Sequence, residues 1–388
     1  MRIAYVCMDA GIPVYGRKGA SVHVQGVIAA MLRAGHAVTL FCARVGEDPP
    51  PFAGQVGVHI VSPIAPADVG GSDAMVRAMS AALGKAMSGR GPFDAVYERY
   101  SLWSTGGMAY AGAHGIPGIL EVNAPLIDEQ AAHRSLSDPH AAQRVAAQVF
   151  AQASTIIAVS EEVAAYVNGF PTRRTQAVVE ANGFEPRRFA PPARSLARPF
   201  TIGFLGTLKP WHGIDTLVAV FAGVRERVPD ARLLVIGDGP ARDTLRNAVR
   251  DIGAASASEL AGAVAPEDVG LFLARMDVAL APYPGDAPFY FSPLKIVEYM
   301  AAGVPVVASN IGQIPALVRH MATGLLVPPG DVKAAVRACM CLYNDPVLRR
   351  ALGSSARADA MATRTWDAVV ARILSRACDT TLARQAIA

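Results

Sequence analysis

The sequence predicts two doubly wound α/β domains, each built on a parallel sheet. Short β-rich runs alternate with helical patterns from one end of the 388-residue chain to the other. Those runs are apolar throughout, as in strands covered on both faces, and strand-helix alternation of this kind gives a parallel sheet. The alternation breaks once, at EPRRFAPPARSLARPF (185–200), which is rich in proline and arginine, has no period and reads as an interdomain linker.

Taken in order, the strands of the first half are expected at RIAYVC, HAVTLFC, VGVHIV, DAVYER, PGILEV, TIIAVS and QAVVEAN. Val24, Val27, Ile28, Met31 and Leu32 mark one face of the first helix, with Ser21 as its expected cap and Gly35 as its end. After the linker, strands are expected at FTIGFLG, ARLLVIGDG, MDVALAPY, VPVVAS and GLLVPP. The domain bounds follow as 1–185, a linker at 186–199 and a second domain from 200. Two such domains would face each other across a cleft, because ligands of doubly wound sheets bind beyond the carboxyl ends of the strands.

Composition excludes several classes. Hydrophobic residues make up 52% of the chain and charged residues 18%, so a large core is available and wholesale disorder is excluded. No apolar run approaches the roughly 20 residues of a spanning helix. The opening MRIAYVCMDAG lacks the apolar stretch of a signal peptide, and a cytoplasmic protein is expected. The net charge of +4 is too small to imply nucleic acid, and no basic stripe with interleaved aromatics is present. The five cysteines are an odd, scattered set, which argues against a disulfide framework. Cys339 and Cys341 are expected to be buried small hydrophobes.

YFSPLKIVEYMAAG (290–303) carries the most chemistry. Ser292 suits an N-cap, Pro293 the first helical position and Gly303 the stop. A lysine in the first turn opposes the helix dipole, so Lys295 makes sense where a phosphate sits at the helix start. Glu298 lies one turn deeper and could hold sugar or ribose hydroxyls. The plain alternative is a surface Lys-Glu pair. GTLKPWHG (206–213) gives a second anion candidate, with Lys209 and His212 between Gly206 and the next helix. A packing or capping role is equally open to His212. Asp238, in GDGP after Gly237, is either turn chemistry or a ligand contact. The loop GIPVYGRKGAS, with Gly16 and Gly19, is either an anion or substrate loop or a plain flexible one. Glu98-Arg99 and Glu121-x-Asn123 end successive strands and are expected to aim at the cleft. His114 reads as a helix-end residue. No metal-ligand spacing occurs, so neither metal nor cofactor is expected.

Together GRKGAS, NGFEPRRF, GTLKPWHG, GDGP and SPLKIVEYMAAGVPVVAS resemble the GT-B glycosyltransferases, specifically retaining family four, over nearly the whole chain. The resemblance implies two Rossmann-like domains, the second ending near 360, and a last helix over 361–388, around TWDAVVARIL, that crosses back to the first. It implies that Lys209 and Lys295 hold a diphosphate and Glu298 the ribose. The Ser292-Pro293-Leu294 backbone would meet phosphate or sugar. Gly16, Gly19, Gly206, Thr207, His212, Gly237, Asp238 and Tyr290 would complete the donor side, with Arg99, Glu121 and Asn123 towards the acceptor. Two departures stand out. Tyr290 occupies the place of the family's first glutamate, eight residues before Glu298, and Thr207 and His212 stand where a basic pair is common.

The expected activity is retaining, metal-independent transfer from a nucleotide-diphosphate sugar, a UDP-sugar being favoured, to an acceptor hydroxyl. An epimerase or phosphorylase of the same fold, or an inactive nucleotide-sugar-binding partner, are the rivals. Membrane association is not indicated, since the first helix has no basic face.

Overall fold

The computed structural model describes all residues except 63, 64, 66, 67, 69, 70, 134, 190–197, 286–288 and 386–388. The chain divides into two compact units, Met1–Asn182 with Trp366–Ala388, and Gly183–Thr365. Most of the linker expected over 186–199 falls on 190–197, outside the described residues. Its first residues, Pro186–Arg188, form a short 3-10 turn capped by the Glu185 carboxylate.

The first unit holds a seven-stranded sheet in the order β3-β2-β1-β4-β5-β6-β7, parallel throughout. Its strands are β1 (Arg2–Cys7), β2 (Ala37–Cys42), β3 (Gly57–Ile60), β4 (Ala95–Arg99), β5 (Gly118–Val122), β6 (Thr155–Ala158) and β7 (Ala177–Val179). All seven expected strands form. Ile3 to Cys7 are fully buried, because helices cover both faces of a doubly wound sheet. Chain order reverses between β1 and β4, so the crevice for a ligand lies beyond their carboxyl ends.

The second unit holds a six-stranded parallel sheet in the order β10-β9-β8-β11-β12-β13. These strands are β8 (Thr201–Leu205), β9 (Arg232–Ile236), β10 (Ser258–Gly262), β11 (Val278–Ala281), β12 (Val306–Ser309) and β13 (Gly324–Val327). Its switch point lies between β8 and β11. β10 is absent from the sequence reading. It is an edge strand whose residues, SELAG, include an exposed glutamate and only one buried residue, so it lacks the apolar run that marks the others.

Three local expectations change. The first helix runs over Gly19–Arg33, three residues earlier than a Ser21 cap requires; the Ser21 hydroxyl instead donates to the Pro13 carbonyl at 2.6 Å and anchors the glycine loop. The key helix of the second unit is Leu294–Ala301 with Pro293, not Ser292, at its N-cap, since Pro293 is still extended at ψ 108°. Cys339 is buried but Cys341 is exposed. Two residues along a helix rotate about 200°, which puts the pair on opposite sides of Val332–Asn344.

Helix ends follow the glycine rule where the backbone turns left-handed. Gly303, at φ +66°, closes its helix with Gly303 N–H on the Met300 carbonyl and Val304 N–H on that of Tyr299. The last helix, Trp366–Gln385, packs on the first within the first unit. Gly26 permits this: a Cβ there would overlap the Trp366 indole. Among the described residues no helix is long and apolar enough to cross a membrane.

Gly26→Ala should therefore destabilise the chain by about 1–3 kcal/mol, since the fully packed indole has no room to give. A urea denaturation midpoint unchanged from wild type would show that the two helices part without cost.

Candidate functional site

The donor-side residues of the second unit assemble at its switch point, from the loops that follow β8, β9 and β11. The β8 loop is held in a fixed shape. Gly206 N–H donates to the Ile236 carbonyl at 2.9 Å and Leu208 N–H to that of Asp238 at 3.0 Å. Gly237, at φ +124°, lies so close that a Cβ would overlap the Gly206 carbonyl. Asp238 has a structural duty in the same turn. Its carboxylate accepts from Gly239 N–H at 2.8 Å and pairs with Arg242 at 2.7 Å.

Lys295 is the centre of this arrangement. Its side chain is buried, 7% exposed, and its Nζ has no hydrogen-bond partner among the described residues. The ammonium lies 4.1 Å from the Phe204 ring centroid and 5.2 Å from that of Tyr283. A Cβ on Gly206 would stand 3.1 Å from Nζ, so the β8 loop runs directly over it. Tyr299, one turn further along the helix, fixes the register. Its hydroxyl accepts from Leu205 N–H at 2.7 Å and donates to the Leu280 carbonyl at 3.3 Å, tying the helix to β8 and β11. Burial lowers the Lys295 ammonium to about 7, with Glu298 opposing. Half-buried Glu298 is raised to about 7 by burial, against the pull of Arg188 and Lys295. The simple Lys-Glu surface pair is thus not what forms.

The Lys209 Nζ lies 4.7 Å from the Trp211 ring centroid. The His212 Nδ1 lies 2.6 Å from the Thr207 carbonyl. Burial and Lys295 hold this imidazole neutral, down to about 3, with the Thr207 hydrogen bond opposing and Lys209 adding to the fall. A neutral ring that donates through Nδ1 leaves Nε2 as an acceptor, which suits a hydroxyl better than a phosphate. Tyr290 borders an aromatic group: its ring lies 5.6 Å from Phe291, and Phe291 lies 4.3 Å from Phe289. Residues 286–288 of this loop are outside the described residues.

Gly16 and Gly19, grouped with the donor side from the sequence, belong to the first unit. Arg17 beside them pairs with Asp48 at 2.7 Å on the surface. In the same unit Arg99, Glu121 and Asn123 meet at the ends of β4 and β5, where Arg99 and Glu121 are in register. Glu121 is only 3% exposed, and its Oε1 lies 2.5 Å from His23 Nε2 and 3.3 Å from Asn123 Nδ2. Burial alone would raise this carboxylate, but His23, by charge and hydrogen bond, and then Arg99 and Asn123 bring it down to about 2. His23, from the first helix, is also edge-on to Trp366 at 4.7 Å. The expectation that Glu98 aims the same way as Arg99 is corrected. Successive strand residues alternate faces, and Glu98 is fully buried under Ser104 Oγ at 2.7 Å and Met108 N–H at 2.9 Å. His114 closes its helix, with Nδ1 2.9 Å from the Tyr110 carbonyl.

Sequence reasoning missed His23, Arg188 and the aromatic wall of Phe204 and Tyr283. His23 sits among buried positions of an amphipathic helix, a spacing signal visible only with hindsight about its partner. Among the described residues no group of three or more His, Cys, Asp or Glu could hold a metal ion.

Two parallel Rossmann-like sheets, with a lysine and glycine loops at the switch point of the second, define the GT-B architecture. Residues 18–183 match the glycosyl transferase 4-like domain and residues 199–345 the glycosyl transferases group 1, and the chain belongs to this group 1 family. It is 35% identical over 176 residues to the GDP-mannose-dependent alpha-(1-6)-phosphatidylinositol monomannoside mannosyltransferase of Mycobacterium tuberculosis, covering 45% of this chain and 46% of that protein. The match thus spans about half the length of that relative. It is 27% identical to the D-inositol 3-phosphate glycosyltransferase of Actinosynnema mirum, over 92% of this chain and 91% of the other. Among solved structures, sucrose-phosphate synthase from Thermosynechococcus elongatus has a TM-score of 0.74 at 20% identity, covering 100% and 99% of the two chains. Anabaena HepE in complex with UDP has a TM-score of 0.73 at 20% identity, covering 98% and 100%.

Removing His23 would strand the Glu121 carboxylate in the interior. His23→Ala should cost about 3 kcal/mol by urea denaturation at pH 7, the penalty for breaking a buried pair. The folded carboxylate sits below its unfolded value of roughly 4.3, so the pair's contribution is present above that pH and fades as pH falls towards 2. The deficit of the variant should shrink over the same window. A deficit that is pH-independent would mean that the pair does not anchor the helix.

Proposed function

We propose that this protein transfers a sugar from a nucleotide-diphosphate sugar to a hydroxyl acceptor, with retention and without a metal ion. The observation that carries the reading is the buried, unpartnered Lys295 ammonium under the Gly206 loop. A buried cation without a hydrogen-bonding partner is costly, and a diphosphate would supply further negative charge and the hydrogen bonds. Family membership supports the same assignment.

In this reading Lys295 and Lys209 neutralise the diphosphate as it leaves. The acceptor oxygen bonds to the anomeric carbon while the bond from that carbon to the β-phosphate oxygen breaks. The bonding pair leaves with the diphosphate, and the acceptor proton passes to a diphosphate oxygen. The protein contributes charge placed in advance where negative charge develops. Glu298 accepts from ribose hydroxyls and His212 Nε2 from a sugar hydroxyl. Metal independence rests on these lysines doing the ion's electrostatic work. Arg99, Glu121 and Asn123 belong to the acceptor side, with Glu121 acting through His23 and Arg99 rather than on the substrate.

The sequence favours a UDP-sugar, whereas relatives at 35% identity are named as GDP-mannose-dependent. UDP-glucose and GDP-mannose are therefore the two donors to try first. A thermal-shift screen of nucleoside diphosphates and their sugars should show one base stabilising the protein, by roughly 2.7 kcal/mol at 100 times the dissociation constant. Turnover should persist in excess EDTA, and the NMR coupling constant at the new anomeric carbon should match that of the donor. A strict magnesium requirement or an inverted product would overturn the mechanism.

Lys295→Met should separate stability from function. Replacing a buried lone ammonium by an apolar chain of like length should raise the melting temperature of the empty protein. It should weaken nucleoside diphosphate binding about tenfold or more. Because the empty-state ammonium titrates near 7, wild-type binding at pH 8 should take up close to one proton and weaken as pH rises. Calorimetry in buffers of different ionisation enthalpy reads this. Normal binding by the variant, or no proton uptake, would remove Lys295 from the diphosphate site.

A further inference from the structure

The loop that follows β1 at the first unit's switch point is held from behind by two side chains of the helix Gly19–Arg33. Gln25 is buried, and its Nε2 donates to the Val14 carbonyl at 2.9 Å and to the Gly16 carbonyl at 2.9 Å. Only the NH2 end of the amide can serve two carbonyls, so these neighbours fix which way it points. Ser21, fully buried and one turn earlier on the same face, donates to the Pro13 carbonyl. All three bonds end on backbone oxygens of the segment 13–16.

The opposite edge of the loop is tied by backbone. Val14 N–H donates to the Arg44 carbonyl at 3.1 Å, and Asp48 N–H to that of Tyr15 at 3.0 Å. Gly46, at φ +97°, allows this approach, since a Cβ there would stand 2.3 Å from the Tyr15 carbonyl oxygen. On the outer side Arg17, Lys18 and Gly19 are exposed. A segment with two glycines has many backbone states to lose, and the buried amide restricts them before any ligand arrives. A methionine at position 25 would fill the same space but would leave the carbonyls of Val14 and Gly16 without these donors.

We propose that Gln25 is a positioning residue of the transfer reaction: by holding the carbonyls of Val14 and Gly16 it keeps the segment Pro13–Gly19 in the backbone shape in which turnover occurs. Its amide nitrogen is spent on backbone, so it acts through the loop and not on the substrate. Ligands of doubly wound sheets bind beyond the carboxyl ends of the strands, where this loop begins. A loop ordered in advance costs less at binding and at the transition state than one ordered then. The proposal rests on the glycosyltransferase reading above and adds to it a residue of the first unit.

The test uses the full chain and three variants. Gln25→Met keeps the side-chain length and loses both donors, Gln25→Glu keeps the shape but turns an oxygen towards the two carbonyls, and Ser21→Ala removes the other side-chain tie. Loop order is read by limited trypsin digestion without ligand, following by mass the fragment that ends at Arg17 or Lys18, since cleavage tracks the open population of a segment. Turnover is read as nucleoside diphosphate released from UDP-glucose or GDP-mannose with water as acceptor, with kcat and KM separated. Both Gln25 variants should be cleaved about fivefold faster or more and lose about fivefold or more in kcat, in proportion to the fraction of loop left in the competent shape. Ser21→Ala should move both readouts in the same direction. Nucleoside diphosphate affinity, measured by calorimetry, should be unchanged in all three. An amide that serves stability alone would lower the melting temperature and leave kcat per folded molecule as in wild type, which would overturn the proposal. Wild-type cleavage of Gln25→Met would overturn it too, as would Gln25 variants that do not fold beside a Ser21→Ala variant with wild-type turnover. Absence of release by the wild type would overturn this proposal alone, because the donor reading stands or falls on nucleoside diphosphate stabilisation measured separately.

Discussion

The ammonium of Lys295 lies in the interior of the second unit with two aromatic rings and a glycine loop as neighbours, and among the described residues it has no hydrogen-bond partner. Much of the local design follows from keeping it there. Tyr299 clamps the helix to β8 and β11 through backbone groups, so the lysine cannot swing out by shifting the helix. Arg357 binds the carbonyls of Phe189 and Ala301, holding the segment that bears Arg188 against the far end of the same helix. Gly206, at φ +141°, holds a backbone conformation that side chains disfavour, and a Cβ on Gly237 would collide with the Gly206 carbonyl. A charge held this way is disfavoured in the empty protein, and under the proposed function an arriving anion would offset that cost.

The first unit solves a related problem in the opposite way. Its buried charge, Glu121, is supplied with a partner by the protein itself. His23 comes from the first helix, reaches across 98 positions in sequence, and makes a close contact that also touches Trp366 of the last helix. One imidazole therefore joins the sheet, the first helix and the chain terminus within that unit. A paired charge of this kind fixes position rather than waiting for a ligand. The two units thus differ in how they hold a buried charge: the Lys295 ammonium has no hydrogen-bond partner among the described residues, whereas Glu121 is paired through its Oε1.

The strands were readable because buried parallel strands must be apolar on both faces, which leaves continuous runs such as RIAYVC and TIIAVS. β10 escaped because an edge strand needs no such run, and Glu259 on it can remain in solvent. Lys295 was readable from a local rule, the misfit of a cation in a first helical turn. The misreadings share a cause. Ser21 has the right residue type for a cap, but the Pro13 carbonyl competes for its hydroxyl from eight residues away. Glu98 follows the polar-at-strand-end rule, yet the pleat turns it under the helix Gly106–His114, where Gly107 leaves it room. Each error is a local rule overruled by a contact distant in sequence, and His23 was missed for the same reason.

The two switch points divide the chemistry by charge. Near the carboxyl ends of β8 and β11 the side chains include Lys209, Lys295 and a neutral His212, an environment for anions and hydroxyls. Beyond β1 and β4 lies a cavity lined by Asp9, Glu129 and apolar side chains including Met75, Met79 and Trp103. Both places arise from one topological rule, that chain reversal opens a crevice at strand ends, so the fold dictates where the two sites lie but not what they prefer. Preference is set by a few loop residues following the strands, and these are free to vary without disturbing the buried runs beneath them. A chain can therefore keep the group 1 architecture and the buried lysine of its second unit while the loops after β1 and β4 vary.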